Sequence, residues 1–458
     1  LGGRGMNNRM SNWAKQNFPD SKSDLFSMFV ERFFCNVNSG GLIGIMTPFT
    51  WMFLSSYEKL RNQVFSNSII TSLVRPEYHA FFDSAFVPIC SFVMFKDIDK
   101  DYKGTYIDLG QFHGAASQPV KALEAIKDKS CDWRYKASIN DFQKIPGSPI
   151  AYWVSDHFRG LFKSNTRFGE LFETRQGLAT GDTDQFIRYW HEVSEKKISN
   201  FKPNYSEKFK WYFLIKGGDF RKWYGNIDCV VNWSNDGFEI KNLKDENGKQ
   251  KSRPQSVDYY FNENIVCAAL TSAKNAFRFT PKGAIFDVNV RASFSDDLDT
   301  MHGVLGFLNS SIMSEISKVL SPTLALNIKE LEVTPIPSRN LLTELSVKTR
   351  ELIKISKSDW DAYELSRGFV VSPLLGSDDF DFMIGDCFSR LKKKWDAKVR
   401  RMLQLEEECC MLLVEEYGLR DELESEVSMD DITLKVNPSY RYGKDKSVDE
   451  LEKLLLKI

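Results

Sequence analysis

The sequence predicts an α/β sheet layer at the N-terminal end, a mixed α+β domain in the middle and a helical C-terminal arm. Three observations carry this reading. Residues 1–112 alternate helical apolar spacing with short, almost wholly apolar runs, as helices layered on a buried sheet do. Residues 113–337 change to short strands, aromatics and polar loops. Residues 338–458 return apolar side chains at three- and four-residue steps among Lys, Arg and Glu, which is helical spacing. A chain of 458 residues is long enough for roughly two or three domains.

In the first region, residues 24–37 (DLFSMFVERFFCNV) place Leu25, Phe26, Phe29, Val30 and Phe33 at helical spacing. Asp24 is a suitable N-cap, because its carboxylate can accept the unpaired amides of the first turn. Gly40 and Gly41 end that helix, and LIGIMT follows at strand length. A second helix is expected over roughly Leu54–Val64, then strands at IITSLV and FVPICSFVMF. An open sheet of this kind needs more strands than these few, so the pattern reads as starting in mid-domain. Thr47-Pro48 closes the LIGIMT strand at the carboxyl edge, where open α/β sheets bind ligands. A plain strand terminator is the competing account of Pro48.

In the middle region, GFEIKNLKDENGKQKSRPQ reads as a short strand running into a polar excursion, and HGVLGFLNSSIMSEISKVL as one amphipathic helix. Pro335 and Pro337 mark its end. In the last region Phe388, Leu391, Trp395, Val399, Met402 and Leu405 outline a long amphipathic helix in an antiparallel arm. The strict heptad of a coiled coil is not kept.

Charge narrows the function classes. Lys and Arg total 61 against 62 Asp and Glu, a formal net charge of −1. Bulk charge would not hold such a chain to nucleic acid, so any such contact must be a local patch. The eight cysteines include the adjacent pair Cys409 and Cys410 but no C-x-x-C spacing, which reads as reduced thiols in a cytoplasmic protein with no metal site. No apolar run reaches the roughly 18 residues a membrane span needs. The first residue is Leu, with no basic-then-apolar signal behind it, which reads as a chain cut from a longer one.

The densest candidate for a contact surface is residues 208–224. Lys208, Lys210, Lys216, Arg221 and Lys222 stand there among Trp211, Tyr212, Phe213, Trp223 and Tyr224. Cations on phosphates with interleaved rings are a common grip on DNA, and Gly217-Gly218 would let backbone amides approach a phosphate. Taken alone, the stretch equally suits a solvated strand face with core aromatics. Thr180, Gly181, Asp182 and Arg188 form a polar turn that either faces DNA or caps backbone. Lys251, Arg253 and Gln255, on the polar excursion, could pair with base edges or lie in solvent. Glu239-Ile240-Lys241, with Asp228 and Asp236 upstream, spells a nuclease-like Glu-x-Lys. Neither Asp follows a Pro and the pattern is common by chance, so no cutting site is expected.

Long passages carry a resemblance. LGGRGMNNRMSNWAKQNFPDSKSDLFSMFVERFF and GGLIGIMTPFTWMFLSSYEKLR strongly resemble the PglX methyltransferases of BREX phage defence. In that family Asn-Pro-Pro-Tyr lies immediately before a Gly-Gly-x-Gly-Met-Asn stretch like Gly2–Asn7. GLATGDTDQFIRYWHEV is similar to the start of the family's target-recognition domain, and KGGDFRKWYGNIDCVVNWSNDGFEIKN to a hallmark within it. LNSSIMSEISKVLSPTLALNIKELEVTPIP resembles its end. SKSDWDAYELSRGFVVSPLL is similar to the helical region that follows, where the family more often has a Trp near Arg367. The resemblance covers essentially all 458 residues.

It implies the second half of a class I S-adenosylmethionine-dependent methyltransferase sheet over 1–112, a target-recognition domain over 113–337 and a helical spacer or arm over 338–458. The implied chemistry is methylation of adenine N6 in double-stranded DNA, with the adenine flipped out of the helix. The catalytic Asn-Pro-Pro-Tyr and the Gly-rich cofactor loop are not among these residues. The resemblance therefore puts S-adenosylmethionine mainly on a preceding half and implies an inactive isolated chain. Phe82 falls where related enzymes pack an aromatic on the flipped base, which would stabilise it by about 1–3 kcal/mol; a core or turn Phe is the equal alternative. Asp24, Leu25 and Phe26 fit a segment lining the target pocket, and capping and packing fit them equally. Within the recognition domain Thr180, Asp182, Arg188, Lys216, Gly217, Gly218, Arg221, Lys222, Trp223 and Arg253 would meet DNA. Other BREX proteins are implied partners. A non-catalytic DNA-binding remnant and a piece of a fused restriction-modification enzyme are the alternatives.

Overall fold

The computed structural model describes residues 2–78, 88–270, 274–320, 326–375 and 384–443. It is a mixed α/β chain with several sheets. Contacts divide it into two units, residues 1–164 with 319–322, and residues 165–318 with 323–458.

The first unit opens with α1 (Asn8–Asn17) and α2 (Leu25–Asn36). Asn7 caps α1, accepting from Met10 N at 2.9 Å. Asp24 caps α2, accepting from Phe26 N at 3.4 Å, so the sequence-level cap is real. The buried face of α2 carries Ser27, Met28, Val30 and Phe34. Phe29 and Phe33, which the spacing assigns to the core face, are 52% and 36% exposed, because the helix meets its sheet about one position round from the expected stripe.

Next come β1 (Leu42–Pro48), α3 (Glu58–Asn67), β2 (Ile69–Arg75), β3 (Ile89–Phe95), β4 (Gly104–Asp108), α4 (Ser117–Lys127) and β5 (Arg134–Ala137). Helix α3 begins later than its apolar spacing suggests, because residues 55–57 turn as a 3-10 helix. The strands form one sheet in the order β1-β3-β2-β4-β5. β3 is antiparallel to both β1 and β2, and β4 is parallel to β2. Hence β1, β2 and β4 share a carboxyl edge, at Pro48, Arg75 and Asp108. Trp51, Phe65, Leu73, Phe92, Met94 and Phe142 fill the core.

Arg61 of α3 is 1% exposed and works as a staple. Its guanidinium donates to Trp51 O at 2.9 Å, Leu54 O at 2.8 Å and Gly147 O at 2.6 Å. Burial lowers it to about 10, opposed by Glu58. The unit closes with α5 (Ile139–Gln143) and α6 (Asp156–Ser164). Ser138 and Asp141 cap α5 reciprocally.

The second unit starts with the short turns α7 (Phe168–Leu171) and α8 (Thr183–Phe186), and β6 (Glu173–Arg175), β7 (Leu178–Ala179) and β8 (Ile187–Tyr189). Then follow β9 (Trp211–Ile215), β10 (Cys229–Asn232), α9 (Ser234–Lys241), β11 (Arg253–Pro254), β12 (Asn264–Ala268), β13 (Phe277–Thr280), β14 (Ala284–Phe286) and β15 (Val290–Phe294). They pair as β14-β9-β10-β8, β13-β12-β15-β6 and β11-β7. Tyr212, Phe213, Trp233, Ile285 and Phe286 are fully buried among them.

Two local expectations change. Residues 302–320 form two helices, α10 (Leu298–Leu308) and α11 (Ser311–Leu320). Asn309 breaks the run by pairing with the backbone of Phe277, accepting from its N at 2.9 Å and donating to its O at 3.0 Å. GFEIK lies in helix α9 rather than a strand, after Asn235, Asp236 and Gly237 take left-handed backbone. Beyond α12 (Ile328–Glu332), α13 (Arg339–Trp360) and α14 (Ile384–Glu416) run antiparallel. Lys398–Ser358, Arg401–Glu351, Lys348–Glu408 and Ser338–Glu416 contacts descend one helix as they climb the other. Helix α10 approaches α13 closely because Gly303 has no side chain; a Cβ there would stand 2.2 Å from Leu342 O.

Asp141 sets an acid limit on the first unit. Burial works against its charge, but the Ser138 amide, Lys144, the Ser138 hydroxyl and Arg159 outweigh it and hold the carboxyl at about 2. A carboxyl depressed in the folded state contributes stability above its unfolded value, and that stability is lost as pH falls toward the folded value. Melting temperatures between pH 5 and 2 should therefore fall less steeply with pH in Asp141→Asn, which starts from lower stability at pH 5. Parallel curves for the two proteins would remove Asp141 from the account.

Candidate nucleic-acid interface

At the carboxyl edge of the first unit, Pro48 ends β1 and Thr47 is 5% exposed beside Cys90. Phe49, Trp51, Met52 and Phe53 follow directly into the core, so strand termination and packing account for Pro48. Asp24 is half-buried and committed to its cap, with Phe26 against Tyr57 at 5.5 Å. Phe82 lies outside the described residues. The same edge carries a polar group that sequence reading passed over. Arg75 and Asp108 end the parallel strands β2 and β4 and pair at 2.6 Å. Tyr152 donates to Asp108 at 3.0 Å, and the Arg75 guanidinium lies 5.5 Å from the Trp153 ring centroid.

In the second unit the basic stretch divides. Arg221, Lys222 and Trp223 are 2%, 5% and 1% exposed. Arg221 donates to Asp359 Oδ2 and Ser356 O at 3.0 Å each, and to Tyr224 O at 2.7 Å. Lys222 pairs with the buried Glu406, to which Trp223 Nε1 also donates at 2.8 Å. Burial raises the Glu406 carboxyl, while Lys222 and Trp223 draw it down. Arg278 lies beneath, 2% exposed, and donates to Gly217 O at 2.6 Å and Arg221 O at 3.2 Å. Burial lowers it to about 10. The physical consequence is plain: apart from Arg221 Nη1, which keeps no hydrogen-bond partner among the described residues, these groups are spent inside the unit, on carboxylates and carbonyls, and are not offered at its surface.

The loop they hold is irregular. Trp223 and Asn226 have φ of 71° and 55°, and Gly225 has φ of 129°. A Cβ on Gly225 would stand 2.5 Å from Arg221 Nε and 2.9 Å from Trp360, so the loop closes only with glycine there. Lys216 and Gly217 are half-buried and Gly218 is exposed.

The polar turns come together through β7 and β11, where Leu178 pairs with Pro254 and Ala179 with Arg253. Asp182 caps α8 through Gln185 N at 3.0 Å and pairs with Lys251 at 3.2 Å, which lowers its carboxyl. Thr180 is buried, whereas Lys251 and Arg253 are exposed. Arg188, half-buried on β8, donates to Asp184 O and to Ile187 O. In the Glu-x-Lys pattern, Lys241 pairs with Asp236 at 2.6 Å and Glu239 accepts from Asn232 at 3.2 Å. Among the described residues no cluster of three His, Cys, Asp or Glu could hold a metal ion. No helix among them is long and apolar enough to cross a membrane.

A larger group of exposed cations precedes β9. Lys196, Lys197, Lys202, Lys208 and Lys210 are all exposed around the bridge between Ile198 and Trp211. Lys210 N donates to Lys197 O at 3.0 Å, which sets the two ends of this segment side by side. Lys202 lies 5.3 Å over Phe209 and Lys210 5.5 Å over Trp211. Lys196, Lys197 and Lys202 precede the aromatic stretch in sequence, and only the bridge brings them to it.

Comparison with known proteins agrees with the resemblance. Residues 2–82 match the Eco57I restriction-modification methylase family. The chain is 32% identical over 444 residues to an adenine-specific methyltransferase PglX of Lacticaseibacillus casei (strain Zhang), covering 95% of this chain and 37% of that protein. It is 30% identical over 455 residues to the adenine-specific methyltransferase BrxX of Escherichia coli O9:H4 (strain HS), covering 98% and 36%. The chain resembles the PglX-type adenine-specific methyltransferases over nearly its whole length. It spans little more than a third of these relatives. Among solved structures, the Type IIL restriction-modification enzyme MmeI in complex with DNA matches with a TM-score of 0.55. That match covers 93% of this chain and 54% of that one at 11% identity, a likeness of fold alone.

The Lys222–Glu406 pair makes a stability prediction for this PglX-like chain. Lys222→Met leaves a buried carboxylate without its cation, which costs about 3–5 kcal/mol. Adding Glu406→Leu removes that orphan and should recover most of the loss. Urea unfolding of the two variants tests this, and a double variant no more stable than the single one would contradict it.

Proposed function

We propose that this chain is part of a site-specific DNA adenine-N6 methyltransferase, with its first unit flanking the target adenine and its second unit gripping DNA. The observation that carries the reading is the 30–32% identity to adenine-specific methyltransferases across both units. The likeness of fold to MmeI, solved with DNA, supports the DNA role.

The first unit supports an incomplete sheet. Among the described residues β1 is an edge strand, its Leu42 and Met46 are 65% and 58% exposed, and α2 adds the exposed Phe29 and Phe33. An apolar surface on an open edge is suited to cover by further protein, and in this proposal a preceding part of the same catalytic domain covers it. In this proposal S-adenosylmethionine is held mainly by that preceding part. Asp24 and Pro48 are occupied by capping and strand termination, so no chemical step is assigned to this chain. Asp24, Pro48 and Phe82 remain proposed flanks of the extruded base, and phage defence with BREX partners remains a proposed setting. A fused restriction-modification enzyme is the second reading, favoured by the Eco57I match.

DNA contact in the second unit is assigned first to the exposed lysines 196, 197, 202, 208 and 210, and also to Lys216, Lys251 and Arg253. Thr180, Asp182, Arg188, Gly217 and Gly218 remain proposed DNA contacts, and Arg221, Lys222 and Trp223 hold the 216–226 loop from within. Each phosphate contact contributes about −0.9 to the slope of log K against log salt. Replacing Lys197, Lys208 and Lys210 with Ala should weaken duplex binding and flatten that slope by roughly 2 to 3 units. An unchanged slope would move the DNA surface elsewhere. Joining the upstream coding region to this chain should restore transfer of labelled methyl to adenine. A longer chain that binds DNA without methylating it would leave a DNA-binding remnant.

A further inference from the structure

We propose that the cavity between the 216–228 loop, the end of α13 and the first half of α14 binds a nucleotide. Its phosphate would face the Arg221–Lys435 wall, and its base the rings of α14. The cavity measures about 1410 Å³, ample for a nucleotide, and lies wholly within the second unit.

One wall is cationic beyond what its carboxylate can satisfy. Arg221 borders the cavity, yet its Nη1 is buried with no hydrogen-bond partner among the described residues. Lys435 Nζ rests over the rings of Trp360 and Tyr363, at 4.5 and 4.7 Å, with no ion-pair partner among the described residues. Arg278 stands behind Arg221, bonded to carbonyl oxygens. Against these three cations the deep wall has one carboxylate, Asp359. Its oxygens are already taken by Arg221 and by the amides of Lys435 and Val436, at 3.0, 2.8 and 3.3 Å. Buried positive charge of this kind favours an anion. Burial also lowers the Lys435 ammonium, with Arg221 and Arg441 adding to the effect and Asp359 and Asp228 opposing it. The carboxylates of Asp219 and Glu364 also line the cavity, on exposed residues, and Asp228 on a half-buried one.

The α14 wall is aromatic. Phe388 and Trp395 line it, half-buried, with ring centroids 6.2 Å apart. An anionic end facing an aromatic end is the pattern of a nucleoside phosphate, with a ring for the side chains to stack on and a charge for the cations. Lys393, Lys394 and Arg400 lie exposed on the same stretch of α14, which extends the positive field past the cavity. The nucleotide could be free or an unpaired unit of a DNA strand; in the second case the inference rests on the DNA-contact reading above.

The test is equilibrium dialysis of the full chain with dTMP, deoxythymidine, inorganic phosphate and a four-residue oligothymidylate. The account expects dTMP to bind and deoxythymidine to bind at least tenfold more weakly. Lys435→Gln should weaken dTMP at least tenfold with an unchanged melting temperature, and Trp395→Leu should weaken dTMP but not phosphate. Oligothymidylate binding tighter than dTMP identifies a DNA strand as the source; equal binding identifies a free nucleotide. Absence of dTMP binding, or equal dTMP affinity in Lys435→Gln, overturns the proposal. Duplex binding measured in parallel separates the two readings. Duplex binding kept while dTMP binding is absent removes the cavity alone, whereas loss of both removes the DNA reading as well.

Discussion

The buried pair between Arg221 and Asp359 is the constraint on which the second unit depends. Asp359 sits at the end of a 22-residue helix and is completely buried. Such a carboxylate is costly unless fully paired. It is satisfied from two directions, by Arg221 of the aromatic loop and by the backbone amides of residues 435 and 436. Lys222 and Trp223 repeat the device one step along, on Glu406 of α14. A loop of unfavourable backbone angles is thereby fastened to both helices of the arm, and the sheet strand that feeds it, β9, is fastened with it.

This arrangement gives the helical arm a structural role inside the same unit as the strands. The lysines at 196–210 are exposed on the segment that bridges to the start of β9 at Trp211. A cationic surface presented by a rigid scaffold spends less binding energy on ordering than one on a free loop. The functional proposal thus joins two classes of positive charge in one short stretch, one internal and bracing, the other external and available.

Much of the first unit was legible from residues alone. The apolar runs at 42–47 and 69–74, and residues 89–95 of the run that begins at 86, give three strands of one sheet, and Asp24 caps its helix as its chemistry suggests. Strand Arg134–Ala137 was not legible, since RYKA has little burial to betray it. In the second unit the misleading feature was the basic stretch. A Lys or Arg looks the same in sequence whether it faces water or a buried acid, and the acids here stand 138 and 184 residues away. Trp223 beside Lys222 was the one local hint, because a tryptophan that must be buried carries its neighbours inward. The long resemblance, by contrast, was legible because it rests on many passages in order rather than on any one site.

The most direct test of the central claim is amide hydrogen exchange over residues 216–226 in Asp359→Asn. The account predicts that protection falls across this loop and at residues 435 and 436. Helices α10 and α13, held together by the close approach at Gly303, should keep theirs. Unchanged protection over residues 216–226 would contradict it, and would mean that the loop is held by its own strands rather than by the arm.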